Sequence, residues 1–143
     1  EIERERHLRM DKPFAVIMGD LDNFKNLNDT YGHDAGDYVL QTIGRILRNQ
    51  VRGIDCPARW GGEEFLVILV DTDLESGQRV AERIRRKIEN TNFNHKNQRL
   101  PVTMTFGLTV YQNTDDSIDE AVKRADKALY EGKNRGKNIV IAA

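Results

Sequence analysis

The chain has 143 residues, 31% of them charged, and a formal net charge of −1 at pH 7. This length suits a single domain with its own core, and the balanced charge argues against bulk electrostatic binding to nucleic acid or to a membrane surface. The apolar runs are far shorter than the roughly 20 residues that span a bilayer, and no signal peptide is expected. The single cysteine, Cys56, excludes an intrachain disulfide and favours a reducing cytosol; we expect it to be a small packed residue.

Hydrophobic periodicity predicts helices and strands that alternate along the chain. The predicted helices are Ile2–Arg9, Asn23–Asn28, Ala35–Asn49, Leu74–Asn90 and Ser117–Glu131. The predicted strands are Phe14–Met18, Cys56–Trp60, Phe65–Val70, Val102–Val110 and Asn138–Ala142. The remaining polar segment, Asn92–Arg99, is predicted to be a loop.

Two predicted helices carry an apolar stripe at the i, i+3/i+4 spacing of an amphipathic helix. The stripes are Val39, Leu40, Ile43, Ile46 and Leu47 in the first, and Val80, Ile84 and Ile88 in the second. If the two helices after the first strand count as one connection, the order from that strand onward is β-α-β-β-α-β-α-β. This order predicts an α/β fold, an α+β sandwich with a ferredoxin-like core, in which helices flank a central, mostly antiparallel sheet.

Two glycines and two carboxylates, Gly61-Gly62-Glu63-Glu64, lie between the second and third predicted strands. Glycines supply the positive φ that tight turns need, so the segment is predicted to be a hairpin. Carboxylates at a hairpin tip with little side-chain cover suit a metal ion or a phosphate-bearing ligand. Taken alone, the pattern is more typical of a surface turn with two solvated acids.

A second acidic cluster follows the first predicted strand, which ends at Gly19-Asp20-Leu21-Asp22. Carboxylates at the ends of separate strands can converge in a folded sheet, and Asp20 and Glu63 are the obvious pair. Two such carboxylates suit Mg²⁺ and metal-assisted phosphoryl or nucleotidyl transfer. The alternative is that Asp20, and more so Asp22, caps the short helix that follows.

Three ordered stretches resemble signatures of the GGDEF family. Residues 20–37 read DLDNFKNLNDTYGHDAGD and are similar to D-x-D-x-F-K-x-x-N-D-x-x-G-H-x-x-G-D. Residues 61–65 read GGEEF and match the GG(D/E)EF loop, and residues 124–138 read RADKALYEGKNRGKN and resemble the closing R-A-D-x-A-L-Y-x-x-K-x-x-G-x-N segment. The resemblance runs from about Phe14 to Val140, and three motifs in order are far more specific than any one of them.

The resemblance implies a nucleotidyl-cyclase or polymerase-palm-like core and a diguanylate cyclase, which makes cyclic di-GMP and two pyrophosphates from two GTP molecules in a homodimer. It implies two Mg²⁺ ions per active site, with Mn²⁺ as a substitute. The implied metal ligands are Asp20, the Leu21 carbonyl, Glu63 and Glu64, and the alternative for Glu64 is that it structures the hairpin. Glu63 resembles the proton acceptor, and Lys25 the lysine that stabilises charge on the phosphates.

The resemblance also implies a set of substrate contacts. The triphosphate would be contacted by Asn23, Phe24 and Lys25, and Gly61 and Gly62 would allow the backbone to approach closely. The β and γ phosphates would be held by Lys133 and Lys137. Guanine would be bound by Asn28 and Asp37, and His33 would lie near the substrate. One position departs from the family, because Lys137 stands where Arg is usual. Lysine keeps the charge and loses the bidentate geometry, and Arg135 is the neighbouring cation that could compensate.

Arg52-Gly53-Ile54-Asp55 forms an R-x-x-D pattern five residues before Gly61. In the family that spacing marks an allosteric site at which the product inhibits, and Arg83 matches its secondary arginine. Arginine can bind phosphate or guanine acceptors, and aspartate can bind guanine donors. A salt bridge between Arg52 and Asp55 is the simpler alternative.

Residues 1–143 are expected to form one GGDEF-like domain that lacks the usual N-terminal start of the family. We therefore expect a longer regulated protein with an N-terminal sensor or receiver domain, a cytoplasmic location for this domain, and no nucleic-acid partner; anchoring of the full-length protein to a membrane is compatible with this. Other hypotheses remain: a catalytically weak module that binds GTP or cyclic di-GMP, another nucleotidyl cyclase or palm enzyme, or a fold-only resemblance.

Overall fold

The structure is a computed structural model that describes residues 13–111 and 117–143. The predicted helix Ile2–Arg9 lies outside the described residues. The described helices are α1 (Phe24–Tyr31), α2 (His33–Gln50), α3 (Leu74–Glu89) and α4 (Ile118–Asn134). The described strands are β1 (Ala15–Leu21), β2 (Cys56–Arg59), β3 (Glu64–Leu69), β4 (Asn94–His95), β5 (Gln98–Arg99), β6 (Met104–Val110) and β7 (Val140–Ala142).

Five of the strands form one sheet in the order β2-β3-β1-β6-β7. All neighbours are antiparallel except β6 and β7, which are parallel. The segment from β1 through β2, β3 and α3 to β6 has the β-α-β-β-α-β order of a ferredoxin-like core, and β7 extends this core at one edge. The predicted α/β class and the mostly antiparallel sheet are confirmed.

Strand β1 lies at the centre of the sheet and is buried on both faces. Successive side chains of a strand point to opposite faces, so Ala15 and Ile17 belong to one apolar core while Val16 and Met18 belong to the other. The first core is covered by α1, α2 and α3, and the predicted stripe of α2 is buried in it; on α3, Ile84 and Ile88 are fully buried and Val80 partly so. The second core is covered by α4.

Helix α4 lies directly on the backbone of β6 at Gly107. A Cβ at this glycine would meet the carbonyl oxygen of Ala125 at 1.9 Å and the backbone nitrogen of Leu129 at 2.3 Å. A glycine inside a strand is typical of such a close approach of another backbone. The glycine that interrupts the apolar pattern of β6 therefore sets how near α4 comes to the sheet.

Several boundaries differ from the sequence prediction for local reasons. Strand β1 continues to Leu21, because its last residues pair with Met104–Phe106. Strand β7 begins only at Val140, because Lys137 and Asn138 have left-handed φ values of 67° and 49° that a strand does not accommodate.

Two further predictions were wrong. The segment expected to be a loop contains the β4–β5 hairpin, whose two-residue turn, Lys96-Asn97, has positive φ at both positions without any glycine. Cys56 is exposed and not packed, because it lies on β2, the edge strand of the sheet.

Gly107→Ala should lower the free energy of unfolding by at least about 2 kcal/mol, because the added methyl group overlaps the backbone of α4. Gly44→Ala is the matched control: its new methyl group meets nothing closer than an ordinary contact with the Arg48 side chain at 3.5 Å. Within α2 that change should stabilise by about 0.5–1 kcal/mol. Urea denaturation measures both, and equal effects of the two changes would contradict the close approach.

Candidate functional site

The structure brings the two predicted acidic clusters together at one end of the sheet. Strands β1 and β3 are neighbours, and Asp20 lies opposite Glu64 in their register. The Leu21 N–H donates to the Glu63 carbonyl over 3.3 Å, which fixes the start of β3 beside the end of β1. Asp20, the Leu21 backbone and Glu63 therefore share one corner of the molecule.

Asp20 has an unusual electrostatic environment. Its Oδ1 is buried and has no hydrogen-bond partner among the described residues. Burial raises the pKa of Asp20 and the charge of Lys133 lowers it, but the hydrogen bond and negative charge of Glu63, together with the charge of Glu64, raise it again, to about 7. A carboxylate pair that repels itself in a partly desolvated site is typical of a place prepared for a cation.

Asp22 differs from Asp20, because both oxygens of its carboxylate accept hydrogen bonds. The side chain is 2% exposed and accepts from the Thr103 hydroxyl (2.7 Å), the Thr105 hydroxyl (2.6 Å), the Lys133 ammonium (2.7 Å) and the Asn138 N–H (3.0 Å). Burial alone would raise the pKa of Asp22, but the bonds from Lys133 and the two hydroxyls outweigh it and hold the pKa below its usual value. The alternative that Asp22 caps α1 is wrong, since the N-cap residue is Asn23, which makes no side-chain cap bond.

The two predicted phosphate-binding lysines reach this corner from the end of α4. The Lys133 ammonium donates to the carbonyls of Asp20 (3.2 Å) and Leu21 (3.0 Å) as well as to Asp22. The Lys137 ammonium donates to Asn23 Oδ1 over 2.6 Å. Arg135, expected to compensate for the missing arginine, instead pairs with Glu131 at 2.6 Å.

The hairpin between β2 and β3 is closed mainly by backbone bonds. The N–H groups of Trp60 (2.7 Å) and Gly61 (3.3 Å) both donate to the Glu64 carbonyl. The Arg59 guanidinium donates to the carbonyls of Gly61 (3.3 Å) and Gly62 (3.0 and 2.6 Å). Arg59 thus shapes the tip that presents Glu63, a role that the sequence analysis missed although the residue lies two positions before the motif.

Asn28 and Asp37, the predicted guanine contacts, lie on neighbouring helices that meet at Gly36. A Cβ on Gly36 would lie 1.9 Å from Asn28 Oδ1, an atom that is buried and has no partner within the described part of the chain. Asp37 is exposed and lines a cleft of about 490 Å³ between α2 and β2, together with Leu40 and Phe65. Of the two predicted contacts, Asp37 thus lines the cleft, and Asn28 packs against Gly36, the residue before it.

The remaining predicted substrate contacts lie at the starts of α1 and α2. Asn23 has a left-handed φ of 57°, Lys25 is exposed in the first turn of the helix, and Phe24 packs partly against the core. His33 is exposed at the first residue of α2. Exposed N–H groups and a cation at a helix start favour anions.

Arg52 and Asp55 form the salt bridge that the sequence analysis gave as the simpler alternative. The Arg52 guanidinium donates to both oxygens of the Asp55 carboxylate (3.0 and 2.9 Å) and also to the Val70 carbonyl (2.6 Å) and the Thr72 hydroxyl (3.2 Å). Burial alone would raise the pKa of Asp55, but the bonds from the Arg52 side chain and from the Val70 and Arg52 N–H groups hold it below its usual value. The Arg52 side chain remains 54% exposed, which leaves the guanidinium accessible to a ligand.

Arg83 reaches the same place from α3. Its guanidinium donates to Gln50 Oε1 over 3.0 Å, and it lines a cleft of about 340 Å³ together with Arg52 and Asp55. The three residues predicted to form an allosteric site therefore do meet in one cleft. None of the residues that line it belongs to the corner of Asp20 and Glu63.

In the part of the chain that the structure describes, no group of three or more His, Cys, Asp or Glu side chains is placed to hold a metal ion by itself. Among the same residues, no helix combines the length and apolar character needed to cross a membrane.

Asp20→Asn should increase the stability of the fold at pH 8. The raised pKa means that the native state holds a proton on Asp20 more tightly than the unfolded chain does, so stability falls as the pH rises from about 4 through 7. The amide removes this loss; the melting temperatures of the variant and the original chain should therefore differ most at pH 8 and converge at pH 4. A variant whose melting temperature at pH 8 is lower than that of the original chain would contradict the repulsion between Asp20 and Glu63.

Comparisons with known proteins agree with this geometry. Residues 1–139 match the family model described as "Diguanylate cyclase, GGDEF domain". Diguanylate cyclase A of Treponema denticola is 44% identical over 126 residues, which are 88% of this chain and 34% of that protein, so the chain spans about a third of that curated relative.

Two solved structures share the fold. The active GGEEF domain of a diguanylate cyclase from Vibrio cholerae has a TM-score of 0.91 at 31% identity, covering 99% of this chain and 89% of that one. The GGDEF domain of DgcB from Caulobacter crescentus in complex with c-di-GMP has a TM-score of 0.94 at 27% identity, covering 99% and 84%. The family match extends over nearly the whole chain and includes both the sheet corner and the hairpin; the chain belongs to the diguanylate cyclase GGDEF domain family.

Proposed function

We propose that this chain is a diguanylate cyclase domain that condenses two GTP molecules into cyclic di-GMP and two pyrophosphates. The observation that carries the proposal is the meeting of Asp20 and Glu63 at one corner, with a buried Asp20 oxygen that has no partner among the described residues. Family membership and the names of the relatives support the same reaction.

The residues at the corner fit a divalent metal ion. Members of this family use divalent metal ions, and the preferred site of Mg²⁺ combines one or two carboxylates with waters and substrate phosphates. Asp20, Glu63 and the Leu21 carbonyl would hold the ion, with Glu64 as a further acid nearby; Mg²⁺ is the expected ion, two per site, with Mn²⁺ as a substitute. When bound, such ions neutralise charge on the triphosphate and favour ionisation of the attacking hydroxyl.

The protein's own groups would bind and orient the nucleotide around this corner. The exposed start of α1, with Asn23, Phe24 and Lys25, offers N–H groups and a cation to the triphosphate. Lys133 and Lys137 face it from the end of α4. Gly61 and Gly62 leave the hairpin tip without side-chain cover, and Glu63 accepts the proton of the ribose 3′-hydroxyl that attacks the α-phosphate.

Selection of guanine follows from the second part of the site. Guanine offers N1–H and its 2-amino group as a pair of donors, and the Asp37 carboxylate accepts both; Asn28, whose side chain packs against Gly36, is the second guanine contact of the proposal. Adenine lacks this donor pair and would leave the acceptors unpaired, which disfavours its binding. His33 lies at the start of the same helix as Asp37.

One domain has one such site, whereas the product contains two new 3′-to-α-phosphate bonds. Two domains must therefore face each other, each presenting one GTP in line with the other. A regulatory domain elsewhere in a longer protein would control this encounter, and a cytoplasmic location would supply the GTP. The alternative function, a catalytically weak module that binds GTP or cyclic di-GMP, would use the same contacts without turnover.

The test is incubation of the domain with GTP and Mg²⁺, followed by chromatographic identification of the nucleotides. Cyclic di-GMP should form, and its rate should rise more steeply than linearly with protein concentration at low concentration, because two domains must meet. Glu63→Gln should abolish formation without lowering the melting temperature, since the residue packs little and its negative charge opposes that of Asp20.

Glu75→Gln is the control for that experiment, because it makes the same chemical change at an exposed residue of α3. It should leave the rate unchanged. GTP binding without any product, in a protein shown to be dimeric, would favour the binding module; a rate strictly proportional to the concentration of a proven monomer would exclude the two-domain mechanism.

We also propose that cyclic di-GMP inhibits by binding the cleft of Arg52, Asp55 and Arg83. The exposed Arg52 guanidinium, already oriented by Asp55, and the nearby Arg83 offer two cations to the two phosphates of the product. The cleft has no residue in common with the Asp20 corner, so product bound there need not displace GTP. It would act by stabilising a non-productive arrangement of two domains.

Arg52→Ala and Arg83→Ala should each relieve inhibition by added cyclic di-GMP and leave the initial rate of product-free protein nearly unchanged. Arg52→Ala also removes bonds to a buried carboxylate and should cost about 1–3 kcal/mol of stability; Arg83→Ala, whose described bonds are to Gln50 alone, is the cleaner variant. Arg79→Ala, one turn earlier on α3, is the control and should stay fully sensitive. If Arg52→Ala and Arg83→Ala both remain fully sensitive to cyclic di-GMP, the product does not inhibit through this cleft. The Arg52–Asp55 salt bridge then has only a structural role.

A further inference from the structure

The Asp22 carboxylate joins three separate segments next to the metal corner. Its donors come from the strand β6 and the residue just before it (Thr105 and Thr103), from α4 (Lys133), and from the turn that follows α4 (Asn138). The side chain is 2% exposed, and all four contacts are 3.0 Å or shorter. Such a fully satisfied buried carboxylate has essentially one position available to it.

Both candidate phosphate-binding lysines are tied to Asp22 and its neighbour. Lys133 binds Asp22 Oδ1 through its ammonium. Lys137 binds the Asn23 side chain, and the residue after Lys137 donates its backbone N–H to Asp22 Oδ2. That turn holds three consecutive residues at positive φ, of which Lys137 and Asn138 are not glycine; such a backbone conformation persists when surrounding bonds determine it.

Lys133 keeps its place through one strong bond and two exchangeable ones. All three N–H groups of the ammonium are in use, on Asp22 and on the carbonyls of Asp20 and Leu21. The bond to Asp22 joins opposite charges and is the strongest of the three. The two carbonyls can be exchanged for phosphate oxygens while Asp22 continues to hold the lysine.

We propose that Asp22 is a positioning residue for the triphosphate: its two oxygens hold Lys133 and the Lys137–Asn138 turn so that both ammonium groups face the end of β1. This inference rests on the proposed function, in which the two lysines bind the β and γ phosphates. Asp22 itself touches neither the nucleotide nor the reacting atoms.

Stability alone does not account for this arrangement. A buried ion pair is weak evidence for stability, because well-packed apolar groups of similar volume are often as favourable. A buried carboxylate that directs two cations towards one exposed corner makes more sense as a device for placing charge. The consequence is specific: disturbing Asp22 should weaken binding of the triphosphate more than binding of the nucleoside part.

The experiment compares the affinities of 3′-deoxy-GTP, which cannot form the product bond, and GMP for the domain in Mg²⁺ by calorimetry. In Asp22→Asn the amide group presents N–H donors to Lys133 or to the Asn138 N–H, so one of them loses its acceptor. The preference for 3′-deoxy-GTP over GMP should fall about tenfold or more, and GMP affinity should stay within about twofold.

Two threonine variants form a matched pair. Thr103→Val and Thr105→Val each remove one hydroxyl that donates to Asp22, but only the Thr105 hydroxyl also accepts the Asn138 N–H, over 3.0 Å. Thr103→Val should keep the triphosphate preference of the original chain. Thr105→Val should lower the preference for 3′-deoxy-GTP over GMP several-fold. This variant therefore tests the positioning role of Asp22 even if Asp22→Asn does not fold.

The outcomes distinguish a failure of the positioning role of Asp22 from a failure of the proposed function. If the original domain prefers 3′-deoxy-GTP and folded Asp22→Asn keeps that preference, the positioning role is wrong and the proposed function stands. If Asp22→Asn does not fold and the two threonine variants behave alike, the role is equally overturned. Equal weakening of 3′-deoxy-GTP and GMP in the variants would show a purely structural role, and an original domain without any triphosphate preference would overturn the phosphate contacts of the proposed function as well.

Discussion

The hydrogen-bonded carboxylate of Asp22 is the interaction on which the architecture of the active corner depends. It lies where the central strand leaves the sheet, and it accepts bonds from β6, from α4 and from the turn after α4. The sheet alone places Asp20 and Glu63 together, since β1 and β3 are paired. The Asp22 contacts, together with the bonds of Lys133 to the Asp20 and Leu21 carbonyls and of Lys137 to Asn23, join the end of α4 and its two lysines to that corner.

The two aspartates of one tripeptide show how differently a fold can treat the same side chain. Asp22 has its charge compensated and every acceptor filled, and its pKa lies below the usual value. Asp20, two residues earlier, is partly desolvated beside another acid, has an unpartnered oxygen among the described residues, and has a pKa of about 7. The first arrangement contributes to structure, whereas the second is a local cost that a bound cation would remove.

The features of the fold that depend on local sequence pattern could be predicted from the sequence alone. Apolar runs predicted the strands, the i, i+3/i+4 spacing predicted the buried helix faces, and the glycines predicted the hairpin that presents Glu63. Prediction failed where distant segments decide: the partners of Asp22 are Thr103, Thr105 and residues beyond 130, so nothing near it distinguishes a helix cap from a buried anchor. It also failed at the β4–β5 turn, where Lys96-Asn97 adopts positive φ without the glycine that usually signals it.

The seating of α4 on Gly107 restricts how a signal could reach this site. At Gly107 the helix backbone rests on the strand backbone without a side chain between them, so at this point the two elements lack the deformable layer that lets packed elements slide past each other. A piston-like shift of α4 along its axis would drive its carbonyls over the strand and pull Lys133 away from its acceptors. A change in the orientation of the whole domain as a rigid body would instead leave the internal spacing of the corner unchanged.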